Sequence, residues 1–215
     1  MGIPKIDRRV FKQLLWLLIA WGAASLAFRG WPVHILFGLL TLFHFFFFRD
    51  PEAVLPSEDG PVSPAQGKVA EVSSFFEESY LKCEAVRIGI FLSIFDVHVT
   101  RSPLAGRVDY LRYVPGKFLN ALKEESVKYN ESNWIGIQNG SRRVLVRQIA
   151  GVIARRICCD VREGSQVSRG GKLGIICYGS RVELIIPKAS WEPLVTVGQK
   201  VFSGRTLIGR WKDGI

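Results

Sequence analysis

Cysteine is scarce in this chain, and the spacing of its cysteines excludes their common uses. The four are Cys83, Cys158, Cys159 and Cys177. They form no C-x-x-C pair, and the adjacent pair lacks the usual spacing of a zinc site. Apolar neighbours suggest that they are small buried hydrophobes in a reducing compartment. We therefore expect neither a metal site nor a disulfide framework.

Methionine is scarcer still, because Met1 is the sole example. Its scarcity bears on an internal repeat, in which four positions recur with identical spacing 34 residues further on. They are Gly164, Val167, Gly170 and Leu173, followed by Gly198, Val201, Gly204 and Leu207. The repeat predicts a strand, a glycine turn and a strand. Lipoyl and biotinyl carriers are built from such hairpins, but their modified lysine commonly lies next to methionine. The repeat therefore indicates architecture and leaves function open.

Acidic residues are outnumbered by basic ones. The chain has 19 Asp and Glu against 29 Lys and Arg, a net charge of +10. Such a charge favours an anionic partner, either nucleic acid or anionic lipid. The chain lacks a basic helix and an aromatic-rich RNA motif, and much of its charge flanks apolar segments. We therefore predict no nucleic-acid partner and favour lipid.

Two apolar runs open the chain. Residues 14–28 and 33–48 contain no Asp, Glu, Lys or Arg, although each is a little shorter than the about 20 residues that a full span needs. Basic residues flank the pair on both sides, which predicts a membrane-associated helical hairpin over residues 1–50 with both termini on the cytoplasmic face of the cell membrane. The alternatives are a shallow hairpin within one leaflet and a signal peptide cleaved near residues 25–27.

Residues 51–215 have a different composition and predict a second, β-rich domain. Short runs rich in β-branched residues end at glycine or proline. They are residues 67–72, 86–91, 143–149 and 181–186. One short helix is predicted over residues 116–128. The expected fold is therefore mainly β, built from glycine-turn hairpins, with an N-terminal apolar helical hairpin.

The segment that carries chemistry is residues 174–187, with the sequence Gly-Ile-Ile-Cys-Tyr-Gly-Ser-Arg-Val-Glu-Leu-Ile-Ile-Pro. Taken alone, Gly-Ser before a strand is a weak signal, and the G-x-S-x-G elbow of α/β-hydrolases is absent. The whole segment resembles the maturation site of the phosphatidylserine decarboxylases, in their short bacterial and archaeal branch. That branch carries Phe-Gly-Ser-Arg-Val-(Asp/Glu) and a closing proline, and Tyr178 replaces the Phe here.

Four further segments are similar to the same family and occur in the same order. They are Ser-Pro-Ala-Gln-Gly-Lys-Val at 63–69, Phe-Asp-Val-His-Val at 95–99, Asn-Glu-Ser-Asn at 130–133, and residues 147–157. Together the five segments extend over nearly all of residues 60–210. Five ordered matches are far more specific than one.

The resemblance implies a self-cleaving enzyme with a covalent pyruvoyl cofactor. Ser180 would attack the carbonyl carbon of Gly179, and the chain would break into a β chain of residues 1–179 and an α chain of residues 180–215. Ser180 would become the pyruvoyl group. A Schiff base between this group and phosphatidylserine would release CO2 and yield phosphatidylethanolamine in phospholipid biosynthesis. The implied partners are this anionic phospholipid, the membrane, and the two chains themselves.

Three more residues receive expected roles. His98, the sole histidine outside the apolar segments, is the candidate proton donor. Arg181 is a candidate for binding the lipid phosphate. Gln66 stands where the family usually has an Asp thought to assist the base in self-cleavage, and glutamine cannot carry that negative charge. This departure leaves open an alternative, a non-cleaving membrane-anchored relative that binds lipid or protein.

Overall fold

The computed structural model describes residues 5–28, 30–119, 124–151, 156–177 and 180–212. The chain divides into two compact units, Met1–Glu52 and Ala53–Ile215.

The first unit contains two apolar helices. β1 (Lys5–Ile6) is followed by α1 (Arg9–Ala27), α2 (Trp31–Phe47) and β2 (Arg49–Asp50), and β1 and β2 pair antiparallel. The helices contact each other through Trp21, whose Nε1 donates to His34 Nδ1 at 3.1 Å. The predicted pair of helices is confirmed.

The two helices differ in length and expose most of their apolar surface. α1 is long and apolar enough to cross a membrane, with a mean hydropathy of 1.5 and 6% of that segment buried. α2 contains no Asp, Glu, Lys or Arg, whereas α1 carries Arg9 and Lys12 near its start, and α2 is shorter, with 17 residues. Apolar helices whose side chains are not buried within the protein need apolar surroundings from another source.

The second unit is built almost entirely of strands. In chain order its elements are β3 (Gly67–Glu77), β4 (Cys83–Leu92), β5 (Val99–Arg101), β6 (Gly106–Val114), α3 (Glu124–Tyr129), β7 (Ser132–Asn139), β8 (Arg142–Ala150), β9 (Arg156–Cys159), β10 (Gln166–Val167), β11 (Lys172–Cys177), β12 (Ser180–Pro187), β13 (Trp191–Pro193), β14 (Lys200–Val201) and β15 (Gly209–Trp211). All four predicted strands lie inside β3, β4, β8 and β12. The mainly β fold is confirmed.

The strands form one large antiparallel sheet with smaller sheets beside it. The large sheet has the order β10-β6-β7-β8-β12-β4-β3-β14, so β12 lies near its centre. A three-stranded sheet, β5-β11-β9, and the pair β13-β15 complete the unit. Along β12, Val182, Leu184 and Ile186 pack into the main core, whereas Arg181 and Glu183 alternate with them and occupy the other face.

The repeated glycines take the backbone conformation that their positions suggested. Gly164, Gly170, Gly198 and Gly204 have φ angles of 87°, 74°, 93° and 66°, a region that other residues rarely adopt. The repeated valines, Val167 and Val201, lie in β10 and β14, the strands at the two margins of the large sheet. The repeat is thus architectural, as predicted.

Two predictions need correction. The helix expected over residues 116–128 is seen as Glu124–Tyr129, while Lys117 forms a β-bridge with Asn130; residues 120–123 lie outside the described residues. The cysteines were expected to be buried, but this holds for Cys177 alone. Cys158 and Cys159 are half-buried because β9 is a marginal strand of its sheet.

Candidate active site

Several strands end at one edge of the large sheet, here called the site edge. Ser180 opens β12 and pairs with Leu92, the last residue of β4, and with Ala150, the last residue of β8. On the other side of β4, Lys68 at the start of β3 pairs with Phe91. Because neighbouring strands run in opposite directions, the starts of β12 and β3 lie beside the ends of β4 and β8.

Ser180 is buried, and its hydroxyl has no hydrogen-bond partner among the described residues. Its exposure is 0%, and none of the residues that the structure describes bonds to its Oγ. A buried polar atom without a partner costs about 1–3 kcal/mol, and such atoms call for an explanation such as a catalytic role. Gly179, the predicted cleavage partner, lies outside the described residues.

His98 reaches the site edge through the loop between β4 and β5. The loop leaves the sheet at Leu92, opposite Ser180, and His98 immediately precedes β5. The ring is fully buried, and its Nδ1 lies 3.0 Å from the backbone oxygen of Asp96. Since a carbonyl oxygen can only accept, this contact places a proton on Nδ1.

The backbone of His98 is tied to the strand that leads towards Ser180. Its carbonyl oxygen accepts from the Ile176 N–H at 3.3 Å, and Ile176 lies in β11. The three-stranded sheet β5-β11-β9, here called the second sheet, is also joined to the large sheet, because Gln148 Nε2 donates to Thr100 Oγ1 in β5 at 3.0 Å. The second sheet therefore brings His98 over the core-side face of the large sheet, which is the face that Ser180 shares with Val182.

Gln66 lies at the same edge, just before β3. Its Nε2 donates to Asp96 Oδ1 at 3.4 Å. The other oxygen of Asp96 accepts from the Ser93 N–H at 3.0 Å and from its hydroxyl at 2.8 Å, which fixes the loop between Leu92 and His98. The structure thus brings Ser180, His98 and Gln66 to one edge.

Arg181 lies on the opposite face from Ser180, as consecutive strand residues do. Its Nε donates to Glu183 Oε1 at 3.0 Å, and its Nη2 pairs with Glu71. Glu183 also contacts Arg147, with Oε2 3.4 Å from Nη1. Gly89 makes room for this cluster, because a Cβ there would lie 2.3 Å from Arg181 Nη2. The guanidinium is committed to two carboxylates, so the predicted contact with a lipid phosphate stays a prediction that these contacts do not favour.

The charged cluster of Arg181, Glu183, Glu71 and Arg147 shifts the pKa of two of its members. Burial raises the pKa of Glu71, but the Ser73 hydroxyl and the guanidiniums of Arg181 and Arg87 outweigh it, and the pKa falls below its ordinary value. Burial lowers the pKa of Arg147, against the opposing effect of Glu183. These contacts therefore keep Glu71 ionised on the face of the large sheet opposite to Ser180.

Comparison with known proteins gives the chain its family. The sequence model of phosphatidylserine decarboxylase matches residues 40–209. A phosphatidylserine decarboxylase proenzyme of Carboxydothermus hydrogenoformans is 45% identical over 94% of this chain and 97% of its own length. Those of Symbiobacterium thermophilum and Syntrophotalea carbinolica are 44% and 40% identical over 85% and 97% of this chain, and 86% and 94% of their own lengths. The chain belongs to the phosphatidylserine decarboxylase family.

The phosphatidylserine decarboxylase segments recognised in the sequence converge on the site edge. The segments at 63–69, 95–99 and 130–133 supply Gln66, His98 and Asn130, and the end of β8 supplies Ala150. Asn130 Nδ2 donates to the backbone oxygens of Leu119 and Ala150, both at 2.8 Å. Segments far apart in sequence therefore meet around Ser180.

One set of buried amides was not singled out from the sequence. Asn133 Nδ2 donates to Gln148 Oε1 at 3.0 Å, and Gln148 Nε2 in turn donates to Thr100 Oγ1. Both amides belong to the segments that resemble the family, which was the available signal. The bond from Gln148 to Thr100 joins the large sheet to the three-stranded one, and the bond from Asn133, within the large sheet, orients the Gln148 amide for it.

Proposed function

We propose that this chain is a self-processing phosphatidylserine decarboxylase that converts phosphatidylserine into phosphatidylethanolamine and CO2. Membership of the family supports the reaction. The observation that carries it to particular residues is the buried hydroxyl of Ser180, which has no partner among the described residues and lies at the edge where the family's segments meet.

Maturation in this proposal begins at Ser180. Its Oγ attacks the carbonyl carbon of Gly179, the C–N bond breaks, and an ester joins residue 179 to the Ser180 side chain. Loss of the Ser180 α proton then expels the carboxylate of residue 179 and leaves dehydroalanine at position 180. Water converts dehydroalanine to a pyruvoyl group and releases ammonia. A hydroxyl that forms no competing hydrogen bond with any described residue is available for the first step.

The residues around Ser180 fit a pyruvoyl group. On maturation the CH2OH of Ser180 would become a methyl group, and a ketone oxygen would take the place of the α nitrogen, so the buried hydroxyl that has no partner among the described residues would be removed. Bound to an amine, the pyruvoyl carbonyl and the neighbouring amide supply an electron sink for decarboxylation. Burial at the core face excludes water, which strengthens this electron withdrawal.

His98 is the proposed proton donor. The bond from Nδ1 to the Asp96 carbonyl fixes the ring orientation and leaves Nε2 to deliver a proton to the carbon that loses CO2. Gln66 supports the same loop through Asp96. Arg181 has a structural part in this proposal, since Glu71 and Glu183 already hold its guanidinium.

The apolar helices support attachment to the membrane that holds the substrate. We place the second unit on the cytoplasmic face, because basic residues flank the helical pair and none of the four cysteines, all within the described residues, forms a disulfide. The processed β and α chains remain partners, since β12 of the α chain is paired on both sides with strands of the β chain.

Gln66 favours a second candidate, a relative that binds lipid or protein without cleaving itself. A glutamine at this position cannot act as a base. Intact Ser180 and a buried His98 favour the enzyme.

The reaction is tested with carboxyl-labelled phosphatidylserine in vesicles and the purified full-length chain. The proposal predicts released labelled CO2 and an equal amount of phosphatidylethanolamine, with neither product from Ser180→Ala. Lipid binding without CO2 from the unaltered protein would favour the second candidate and contradict the enzyme.

A further inference from the structure

Exposed aromatic side chains lie at the site edge on the β3 side of Ser180. Phe95, in the loop between Leu92 and His98, is 63% exposed. Phe202 follows Val201, which pairs with Gly67 at the start of β3, and it is 42% exposed. Lys200 stands between them, with Nζ 3.9 Å from Asp96 Oδ1 and 5.9 Å from the centre of the Phe202 ring.

The β6 side of Ser180 carries a matching group. Tyr113 and Tyr129 are 58% and 47% exposed. Tyr129 immediately precedes Asn130, whose side chain bonds to Ala150 at the site edge. Lys117 and Lys128 hold their ammonium groups 5.6 Å and 5.5 Å from the Tyr129 ring centre. Aromatic rings and lysines thus flank the edge on both sides of Ser180.

The combination of exposed aromatic rings and lysines is typical of a surface that contacts a membrane. Aromatic rings with a polar or cationic neighbour suit a membrane interface, where apolar contact and water are both available. Lysines at such a surface are attracted to anionic headgroups, by about fivefold in partitioning per residue. An isolated exposed aromatic needs no explanation, but a set on both flanks of one buried reactive residue does.

We propose that Phe95, Phe202, Tyr113 and Tyr129, with Lys200, Lys117 and Lys128, form a docking surface that seats the site edge of the second unit on an anionic bilayer. The inference rests on the proposed function, because it explains how a lipid headgroup reaches a fully buried Ser180. The occupant is the lipid surface itself: the rings enter the headgroup region, and the lysines contact its phosphates.

The test is photo-crosslinking with the full-length chain in vesicles of phosphatidylglycerol and phosphatidylcholine. p-Benzoylphenylalanine replaces Phe202, Tyr129 or, as the matched control, Phe76. Phe76 is 54% exposed but lies nine residues along β3 from Gly67, about 30 Å from the site edge. We expect lipid adducts at positions 202 and 129 several-fold above those at position 76, and fewer adducts at 129 when Lys117→Glu and Lys128→Glu are added.

Equal labelling at all three positions, or adducts with protein in place of lipid, would overturn the docking surface. The vesicles contain no phosphatidylserine, so adducts do not report substrate in the site. A chain with Ser180→Ala should give the same adducts, because docking needs neither cleavage nor turnover. Failure of the proposed reaction and failure of the docking surface are therefore told apart.

Discussion

Ser180 and Arg181 follow each other in the chain but belong to different parts of the molecule. Ser180 lies on the core face, where its hydroxyl has no partner within the described part of the chain, and Arg181 lies on the opposite face between Glu71 and Glu183. Sequence proximity suggested that both serve the substrate. Strand alternation separates them, and it leaves the reactive position to Ser180 and the stabilising ion pairs to Arg181.

At the residue scale, the first prediction concerns His98. His98→Gln removes the proton donor while keeping a polar side chain of similar size, so CO2 release per mole of processed chain should fall about 10²-fold or more. Labelled CO2 is measured alongside the fraction cleaved, and His34→Gln on the exposed part of α2 is the matched control. A processed H98Q protein with unchanged turnover would remove His98 from the mechanism.

The second prediction concerns Gln66. Gln66→Asp places a carboxylate where an amide now donates to Asp96 at 3.4 Å. Two neighbouring carboxylates raise the pKa of one of them, which makes that one a better base near neutral pH. We expect faster self-cleavage, followed as the appearance of the chain of residues 180–215 after a pulse of synthesis. Slower cleavage than in the unaltered chain, with Gln66→Asn as control, would contradict this role for position 66.

At the scale of elements, the turn between β3 and β4 shows what the sequence alone could not settle. The first predicted strand ended at residue 72 and the second began at residue 86, but β3 continues to Glu77 and β4 already starts at Cys83. The buried carboxylate of Glu77 accepts from the N–H groups of Tyr80 and Leu81 at 2.9 and 2.6 Å, and so closes a turn without glycine. A side chain that replaces backbone turn chemistry leaves no composition signal.

This turn makes the third prediction. Burial raises the pKa of Glu77, but bonds from the Ser79 hydroxyl and from three backbone N–H groups outweigh it and lower the pKa from its ordinary 4.5. Glu77→Gln should cost about 2 kcal/mol of unfolding free energy at neutral pH. The group's contribution is present above its unfolded pKa and is lost as pH falls through the lower folded pKa, so the difference between E77Q and the unaltered chain should shrink on acidification.

Chemical denaturation in detergent at several pH values measures this difference. Glu78→Gln on the exposed neighbour is the control and should stay within about 0.5 kcal/mol. A cost for E77Q that does not depend on pH would mean that the lost charge is not its cause.

Gly116 explains why the predicted helix over residues 116–128 is wrong at its start. A Cβ at Gly116 would lie 2.5 Å from backbone atoms of Asn130 and Glu131. The chain passes so close to the start of β7 that Lys117 pairs with Asn130 as a bridge. The apolar spacing predicted a helix, and a long-range contact that periodicity cannot reveal decided otherwise.

At the scale of the whole molecule, the two units were predictable to different depths. The apolar helices and the four main strands followed from hydrophobic patterns, and the site position followed from ordered motifs. The pairing of β12 with both β4 and β8, and the approach of the second sheet through Thr100 and Gln148, depend on long-range contacts. These contacts give Ser180 its burial, which the motif alone did not imply.

The fourth prediction concerns membrane attachment. Most of α1 and α2 is apolar and unburied within the protein, so the chain should remain in the membrane fraction after alkaline carbonate or high salt and leave it with detergent. Lys12→Glu, which alters a flanking charge only, is a control that should leave extraction unchanged. Release by salt alone would indicate a purely electrostatic attachment.

The central claim is that Ser180 starts a break in its own chain, and intact mass under denaturing conditions tests it most directly. The protein purified from membranes should give two chains, the smaller one beginning at position 180 and blocked by a pyruvoyl group. Ser180→Ala should give one unbroken chain. A single species of 24.2 kDa from the unaltered sequence would contradict the account and leave a non-cleaving relative with the same fold.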